Sequence, residues 1–142
     1  MKKTYLLDTN IVSEFTKERP DMQVVEFYRV RKDLCAISSI TWQELIRGIS
    51  RMPEGRKKEY LKRNLKLYEE SFEVISYDKF SAQICGEMQT IAEKEGKTLP
   101  FYDSQIAATA ISNGMILVTH NTADFETIRE KSFLHVEDWF SA

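Results

Sequence analysis

The sequence predicts a single α/β domain in which helices cover both faces of a parallel sheet. Short apolar runs alternate with amphipathic segments along all 142 residues, and this alternation is typical of parallel α/β proteins. A chain of this length buries about two-thirds of its unfolded surface, which is sufficient for one core. No repeat, low-complexity tract or linker interrupts the sequence. We therefore expect residues 1–142 to form one three-layer domain.

The first half of the chain contains two predicted strands and four predicted helices. Thr9 or Asn10 is placed to cap the first helix, and Pro20 marks the start of the second. Ser39 or Thr41 begins the third helix, and the break at 52–55 separates it from a long basic amphipathic helix. The strands are predicted at 4–8 and 34–38, and the helices at 10–15, 21–33, 39–49 and 56–70.

The second half contains three further strands, again separated by helices. Gly96 is placed to end the helix marked by the apolar residues 80, 84, 88 and 91, and Asn113-Gly114 ends the next helix. Leu99-Pro100 introduces that second helix, which Asp103 opens. The strands are predicted at 72–75, 115–119 and 133–136, and a short helix at 125–130.

Composition excludes several classes of protein. Hydrophobic residues make up 42% and charged residues 30% of the chain, as in an ordinary soluble globule. No apolar run approaches the roughly 20 residues of a membrane helix, and no secretory signal is evident. Cys35 and Cys85 are isolated in apolar segments, which predicts buried free thiols in a reducing cytoplasm.

The net charge of −2 conceals a basic stretch in the middle of the chain. Between Arg29 and Lys66 there are eleven basic residues and only four acidic ones. A basic flank beside an acidic pocket suits a polyanionic substrate. The alternative is a solvated helix face, which is the commoner origin of such a stretch.

Four carboxylates occur near predicted junctions between strands and helices. They are Asp8 after the run 5–7, Glu44 after the strand-like 34–37, Asp103 before the helix 104–111, and Asp124 after the strand 115–119. In a parallel α/β fold these junctions line up along the carboxyl edge of the sheet, where ligands bind. Four acids in one cleft repel each other unless a cation lies between them. An all-oxygen ligand set favours Mg²⁺ or Mn²⁺ over zinc.

Each acid also has a structural interpretation. Asp8 is placed as a helix N-cap, and Glu44 fits a capping box that begins at Thr41. Asp124 lies in a polar loop that turn formation alone would explain. Asp103 differs, because it heads the apolar face of its helix, where an unpaired carboxylate is costly. Four such acids on one edge are better explained by a shared site.

The sequence resembles the PIN-domain ribonucleases, and among them the VapC-type toxins of bacterial toxin–antitoxin pairs. The resemblance extends from Tyr5 to about Trp139 and is carried by four motifs in order. These are Leu6-Leu7-Asp8-Thr9-Asn10, Ser39 to Gly48 around Glu44, Leu99 to Ala110 around Asp103, and Val118-Thr119-His120-Asn121-Thr122-Ala123-Asp124-Phe125.

The resemblance implies a PIN-like parallel five-stranded sheet, a homodimer, and a small cognate antitoxin that blocks the site. It also implies endoribonuclease activity with Mg²⁺ or Mn²⁺ held by the four acids, chiefly Asp8 and Asp103. Thr9, Asn10, Thr119 and Asn121 would support the site. His120 stands where many relatives carry arginine. The candidate RNA contacts are Arg47, Arg51, Lys57, Lys58, Lys62 and His120.

The predicted chemistry is hydrolysis of an RNA phosphodiester by a metal-activated water, leaving a 5′-phosphate and a 3′-hydroxyl. A phosphatase with Asp8 as nucleophile is one alternative, but that motif requires a second aspartate where Asn10 stands. A non-catalytic docking module with an acidic cleft is another. The expected antitoxin would insert an arginine toward the acids and pack on helices 10–15 and 21–33, where the sequence predicts that Ile11, Phe15 and Phe27 are surplus to the core.

Overall fold

The structure, a computed structural model that describes residues 2–141, confirms the predicted order of elements. The strands are β1 (Tyr5–Leu7), β2 (Cys35–Ser38), β3 (Glu73–Ile75), β4 (Ile116–Val118) and β5 (His135–Glu137). The helices are α1 (Thr9–Glu14), α2 (Met22–Arg31), α3 (Ser39–Ser50), α4 (Arg56–Ser71), α5 (Lys79–Lys94), α6 (Phe101–Ser112) and α7 (Glu126–Lys131). Short 3-10 turns lie at 32–34 and 122–125.

All four strand pairings are parallel, and the order across the sheet is β3-β2-β1-β4-β5. The chain moves outward from β1 in one direction through β2 and β3, and later returns to pair β4 with the other side of β1. The order therefore reverses between β1 and β4. In open α/β sheets, ligands bind at such a switch point, beyond the carboxyl ends of the strands.

The core is divided by the sheet into two layers, because successive strand residues point to opposite faces. Leu6 and Leu117 pack on one side with buried residues of α5, α6 and α7. Leu7 and Val118 pack on the other side with residues of α1 and α2 and with Trp139. The predicted three-layer domain is thus confirmed.

The helix ends agree with the predicted glycines but not with all predicted caps. Gly96 and Gly114 have φ of +75° and +63° just beyond α5 and α6, a conformation that glycine adopts without strain. Asp8 caps α1 in place of Thr9 or Asn10. Ser38 caps α3 by accepting a hydrogen bond from the Thr41 N–H. The capping box predicted from Thr41 to Glu44 is therefore wrong, because Thr41 already lies within the helix.

Two further predictions from composition can be compared with the structure. Cys35 and Cys85 are free and buried, as predicted. Burial raises the pKa of the Cys35 thiol to about 12, so this side chain is an unreactive core residue. Across residues 2–141, no helix has both the length and the apolarity needed to span a membrane.

Candidate active site

Asp8 lies at the switch point, directly after β1. Its side chain is buried, with 3% of its surface exposed. Oδ1 accepts a hydrogen bond from the Thr9 N–H at 2.8 Å. Oδ2 accepts from Asn10 Nδ2 at 3.1 Å and from Thr119 Oγ1 at 2.7 Å. Burial raises the pKa of Asp8, the three hydrogen bonds lower it, and the charge of Asp124 raises it again. Asp8 is therefore both the structural cap and a member of the cleft.

Glu44 reaches the same cleft from α3, where it lies in the second turn and not at the helix start. Its Oε1 accepts a hydrogen bond from Thr9 Oγ1 at 2.7 Å, and Thr9 Oγ1 lies 3.3 Å from Thr41 Oγ1. Burial raises the pKa of Glu44, and the Asp8 charge raises it further, whereas Arg47 lowers it. Thr9 thus links the first two acids through its backbone and its hydroxyl.

Asp103 lies in the first turn of α6, which begins at Phe101 and not at Ser104 as predicted. Because α6 leads into the start of β4, its own first turn lies at the carboxyl edge of the sheet. No donor within residues 2–141 forms a hydrogen bond to the Asp103 carboxylate. Burial raises its pKa to about 6, with additional contributions from the charges of Asp8, Asp124 and Glu44. Asp103 is therefore close enough to the other three acids for their charges to raise its pKa.

Asp124 and its neighbours complete the edge after β4. Asp124 is exposed in the 3-10 turn, and its N–H donates to the Asn121 carbonyl at 3.0 Å. Thr119 is fully buried, donates to Asp8 and accepts from the Asn121 N–H at 3.0 Å. Thr119 and Asn121 are the supporting residues predicted here from the sequence. The structure uses Thr119 to orient Asp8, and Asn121 supports the loop through its backbone.

The donor set fits a hard divalent cation, because it consists of carboxylate and hydroxyl oxygens. Within residues 2–141, none of the four carboxylates forms an ion pair with lysine or arginine. Hydrogen bonds and the more distant charge of Arg47 therefore compensate only part of their negative charge. Within this range, no three acidic, histidine or cysteine side chains stand close enough together to form a ready-made ligand shell.

Comparison with known proteins identifies the family. The PIN domain family matches residues 5–131. This chain belongs to the PIN-domain family, as a member of its VapC group. It is 34% identical over 140 residues to the tRNA(fMet)-specific endonuclease VapC of Shigella flexneri, which covers 95% of this chain and 97% of that protein. It is 33% identical over 138 residues to ribonuclease VapC2 of Haemophilus influenzae, with the same two coverages.

A solved structure of a VapC relative shares the fold over nearly its whole length. The crystal structure of VapBC2 from Rickettsia felis, bound to a DNA fragment from its promoter, superimposes with a TM-score of 0.80 at 28% identity. The alignment covers 96% of this chain and 98% of that chain. The predicted PIN-like fold and the resemblance to VapC ribonucleases are thus confirmed.

The VapC-type PIN domain has a groove that begins at the acidic cleft and runs between α1, α3 and α4. Its volume is about 890 Å³. Thr9 and Glu44 line it at the cleft, and the apolar side chains Val12, Leu45, Ile49, Leu61 and Leu65 continue it. A Cβ placed on Gly48, which also lines the groove, would meet no atom within 4 Å. The groove is therefore open next to Gly48.

The side chains predicted to be available for the antitoxin have partners within the domain. Ile11 is fully buried in the core, Phe15 packs on Tyr28 with ring centroids 4.7 Å apart, and Phe27 packs on Trp139 at 6.0 Å. These side chains are occupied within the domain and are not surplus. Of the two helices predicted, α1 lines the groove but α2 does not.

The predicted basic contacts fall into two groups. Arg47, Arg51, Lys57 and Lys62 are exposed on α3, at its end and on α4, and Lys57 lines the groove. Lys58 is different, because its side chain is only 9% exposed. Its Nζ donates to the Ser50 carbonyl at 3.4 Å, the Met52 carbonyl at 3.1 Å and Glu54 Oε1 at 2.8 Å. The prediction of an RNA contact at Lys58 is therefore wrong.

A signal for the burial of Lys58 was present in the sequence. Residues 58, 61, 65 and 68 share one stripe of α4 at helical spacing, and the last three line the groove. The lysine stem follows that buried stripe while its ammonium group satisfies carbonyls at the end of α3.

Proposed function

We propose that this chain is a Mg²⁺-dependent endoribonuclease of the VapC type, the toxin of a toxin–antitoxin pair. The observation that carries this proposal is the convergence of four carboxylates, none of them in an ion pair within residues 2–141, at the switch point of a VapC-type PIN domain. Mn²⁺ would serve as an alternative cation, since both ions prefer oxygen ligands. Residues 1–142 would form the whole catalytic domain, and an RNA substrate places its action in the cytoplasm.

The four acids would have different catalytic roles, because their environments differ. Asp8 and Asp103 would hold the cation, because one is fixed by three hydrogen bonds and the other is left without a donor. Glu44 and Asp124 would complete the ligand set or orient the attacking water. A bound divalent cation would stabilise the charge that develops on the phosphoryl oxygens and assist deprotonation of water.

RNA would approach the cleft along the exposed basic face. Arg47 is close enough to Glu44 to lower the pKa of that carboxyl, so it is a basic side chain beside the proposed chemistry. Arg51, Lys57 and Lys62 would extend this face toward flanking phosphates. The name of the Shigella relative specifies tRNA(fMet), which makes initiator tRNA the first substrate to test.

The groove between α1, α3 and α4 would bind the antitoxin. Its apolar lining suits an amphipathic helix, and the Tyr68 hydroxyl on its wall is buried without a hydrogen-bond partner. Since the groove begins at Glu44, a chain lying in it would reach the acids directly. An arginine at that end would pair with the carboxylates and compete with the cation.

The homodimer implied by the family remains a prediction that light scattering can test. Phe80 and Phe101 are both 65% exposed at the starts of α5 and α6. These adjacent helices would supply the apolar surface that such a dimer requires.

The decisive test is cleavage of RNA by purified protein. We expect cleavage with Mg²⁺ or Mn²⁺, no cleavage after chelation, and a loss of several orders of magnitude in Asp8→Asn and Asp103→Asn. Asp33→Asn is the matched control, because Asp33 is exposed outside the cleft. Full activity in either cleft variant would reject the site assignment. Inactivity of the intact protein on all RNA, together with harmless expression in cells, would favour a docking module.

A further inference from the structure

His120 and Phe140 form an aromatic pair at the rim of the acidic cleft. Their rings stack with centroids 4.1 Å apart and an angle of 28° between the planes. Although Phe140 covers one face of the imidazole, 52% of the His120 side chain is still exposed. The opposite face of the ring is therefore open to solvent.

The pair is connected to the proposed catalytic residues by hydrogen bonds. The His120 N–H donates to Asn10 Oδ1 at 3.3 Å, and Asn10 Nδ2 donates to Asp8 Oδ2 at 3.1 Å. A single residue thus separates the backbone of His120 from the Asp8 carboxylate. A nucleotide whose phosphate was bound through a cation held by Asp8 would have a neighbouring base within reach of the His120 ring.

Asp138 fixes the orientation of both rings. Its Oδ2 lies 3.1 Å from His120 Nδ1, and its Oδ1 accepts from the Phe140 N–H at 3.0 Å. The segment itself is anchored, because Trp139 is buried and its carbonyl accepts from Gln23 Nε2 at 3.0 Å. The aromatic surface is therefore formed before any ligand arrives.

We propose that the His120–Phe140 pair is a stacking platform for an unpaired base next to the scissile phosphate, an inference that rests on the proposed ribonuclease function. Proteins bind unpaired RNA bases by stacking them on aromatic side chains, histidine included. A phosphate contact alone would require the charge of His120 but not the supporting ring of Phe140. Within residues 2–141, His120 Nε2 has no hydrogen-bond partner and is available to the same nucleotide.

The test compares variants that separate the aromatic face from the charge. His120→Ala and Phe140→Leu should raise KM for RNA by roughly tenfold with little change in kcat, the effect of losing one stacked base. His120→Phe should retain most of the affinity, whereas His120→Lys should not. His135→Ala is the matched control, because His135 is exposed at the opposite, amino edge of the sheet, where it pairs with Ile116.

Asp138 acts as a positioning residue. The KM of its variants should therefore depend on whether residue 138 can accept a hydrogen bond, and not on its charge. Asp138→Asn keeps an acceptor and should behave like the wild type, whereas Asp138→Ala should raise KM. Thermal denaturation of every variant would verify that each one is folded. These outcomes would distinguish positioning from a general loss of structure.

The final measurement uses an RNA with one abasic nucleotide beside the mapped cleavage site. The wild type should lose the same factor of about ten on this RNA, and His120→Ala should lose nothing more. If the losses multiply, or if His120→Lys is as active as the wild type, the platform is rejected. Unchanged RNA cleavage with weakened inhibition by the antitoxin would instead assign the pair to the protein partner. Absence of cleavage by the wild type would reject the ribonuclease itself.

Discussion

Asp103→Asn should make the metal-free protein more stable at neutral pH while abolishing its activity. The substitution preserves the shape of the side chain but removes a charge that is half-buried among three other carboxylates. Asp103 titrates near 6, whereas an ordinary aspartate titrates near 3.8. This difference corresponds to about 3 kcal/mol. Because the group is partly solvated, we discount the gain in unfolding free energy to about 1.5 kcal/mol.

The pH dependence follows from the direction of the shift. A carboxyl whose pKa is raised on folding binds more protons in the folded state, so its ionisation destabilises the fold as pH rises. The penalty should be absent below about 3.8, grow as pH rises toward 6 and stay constant above it. The variant should therefore exceed the wild type most at pH about 7 and match it at pH about 4.

Thermal denaturation in chelator measures the effect. We expect the midpoint of Asp103→Asn to lie about 3–6 °C above that of the wild type at neutral pH. Adding Mg²⁺ should stabilise the wild type more than the variant, because only the wild type retains all four carboxylates. The electrostatic argument would be refuted if the variant were no more stable than the wild type at neutral pH. It would also be refuted if the variant's advantage over the wild type were as large at acidic pH as at neutral pH. Asp33→Asn should show neither effect.

Two paired substitutions test the roles of neighbouring residues. Lys58→Met should lower the free energy of unfolding by about 1–3 kcal/mol, because two carbonyls lose their charged donor; Lys57→Met should leave stability unchanged and weaken RNA binding and its salt dependence. Equal effects of the two substitutions on stability and on RNA binding would contradict these separate roles. Gly48→Ala and Gly86→Ala should each stabilise their helix by up to about 1 kcal/mol, since both Cβ sites are open. Only Gly48→Ala should weaken inhibition by the antitoxin, as measured by titration, because Gly48 lines the groove; equal inhibition of both would place the antitoxin elsewhere.

The sequence was sufficient to predict the fold and the location of the four acids. Parallel strands are joined by crossover helices, and a helix that directly follows a strand begins at the carboxyl edge of the sheet. Asp8 and Asp124 follow strands, and Asp103 heads a helix that leads into one. Their convergence is therefore a consequence of local patterns. The ends of α5 and α6 were equally local, because Gly96 and Gly114 supply the required backbone conformation.

Tertiary structure decided which contacts the individual side chains make. The hydroxyls of Thr119 and Thr9 donate hydrogen bonds to Asp8 and Glu44, respectively. No spacing in the sequence could indicate these partners. Lys58 turns inward because the end of α3 presents carbonyls to it across the 52–55 break. Phe15 and Phe27 pack on aromatic rings of other elements and so are only partly exposed.

The contact between His120 and Phe140 is the clearest example of a side-chain contact that the sequence could not predict. The two residues are 20 positions apart in the chain. No sequence motif contains both of them. They meet because β4 and β5 are parallel neighbours with Val118 opposite Glu137, so the segments after both strands leave the same edge together. Hydrophobic periodicity predicts that such strands exist, but strand register and long-range packing alone decide which side chains meet beyond their ends.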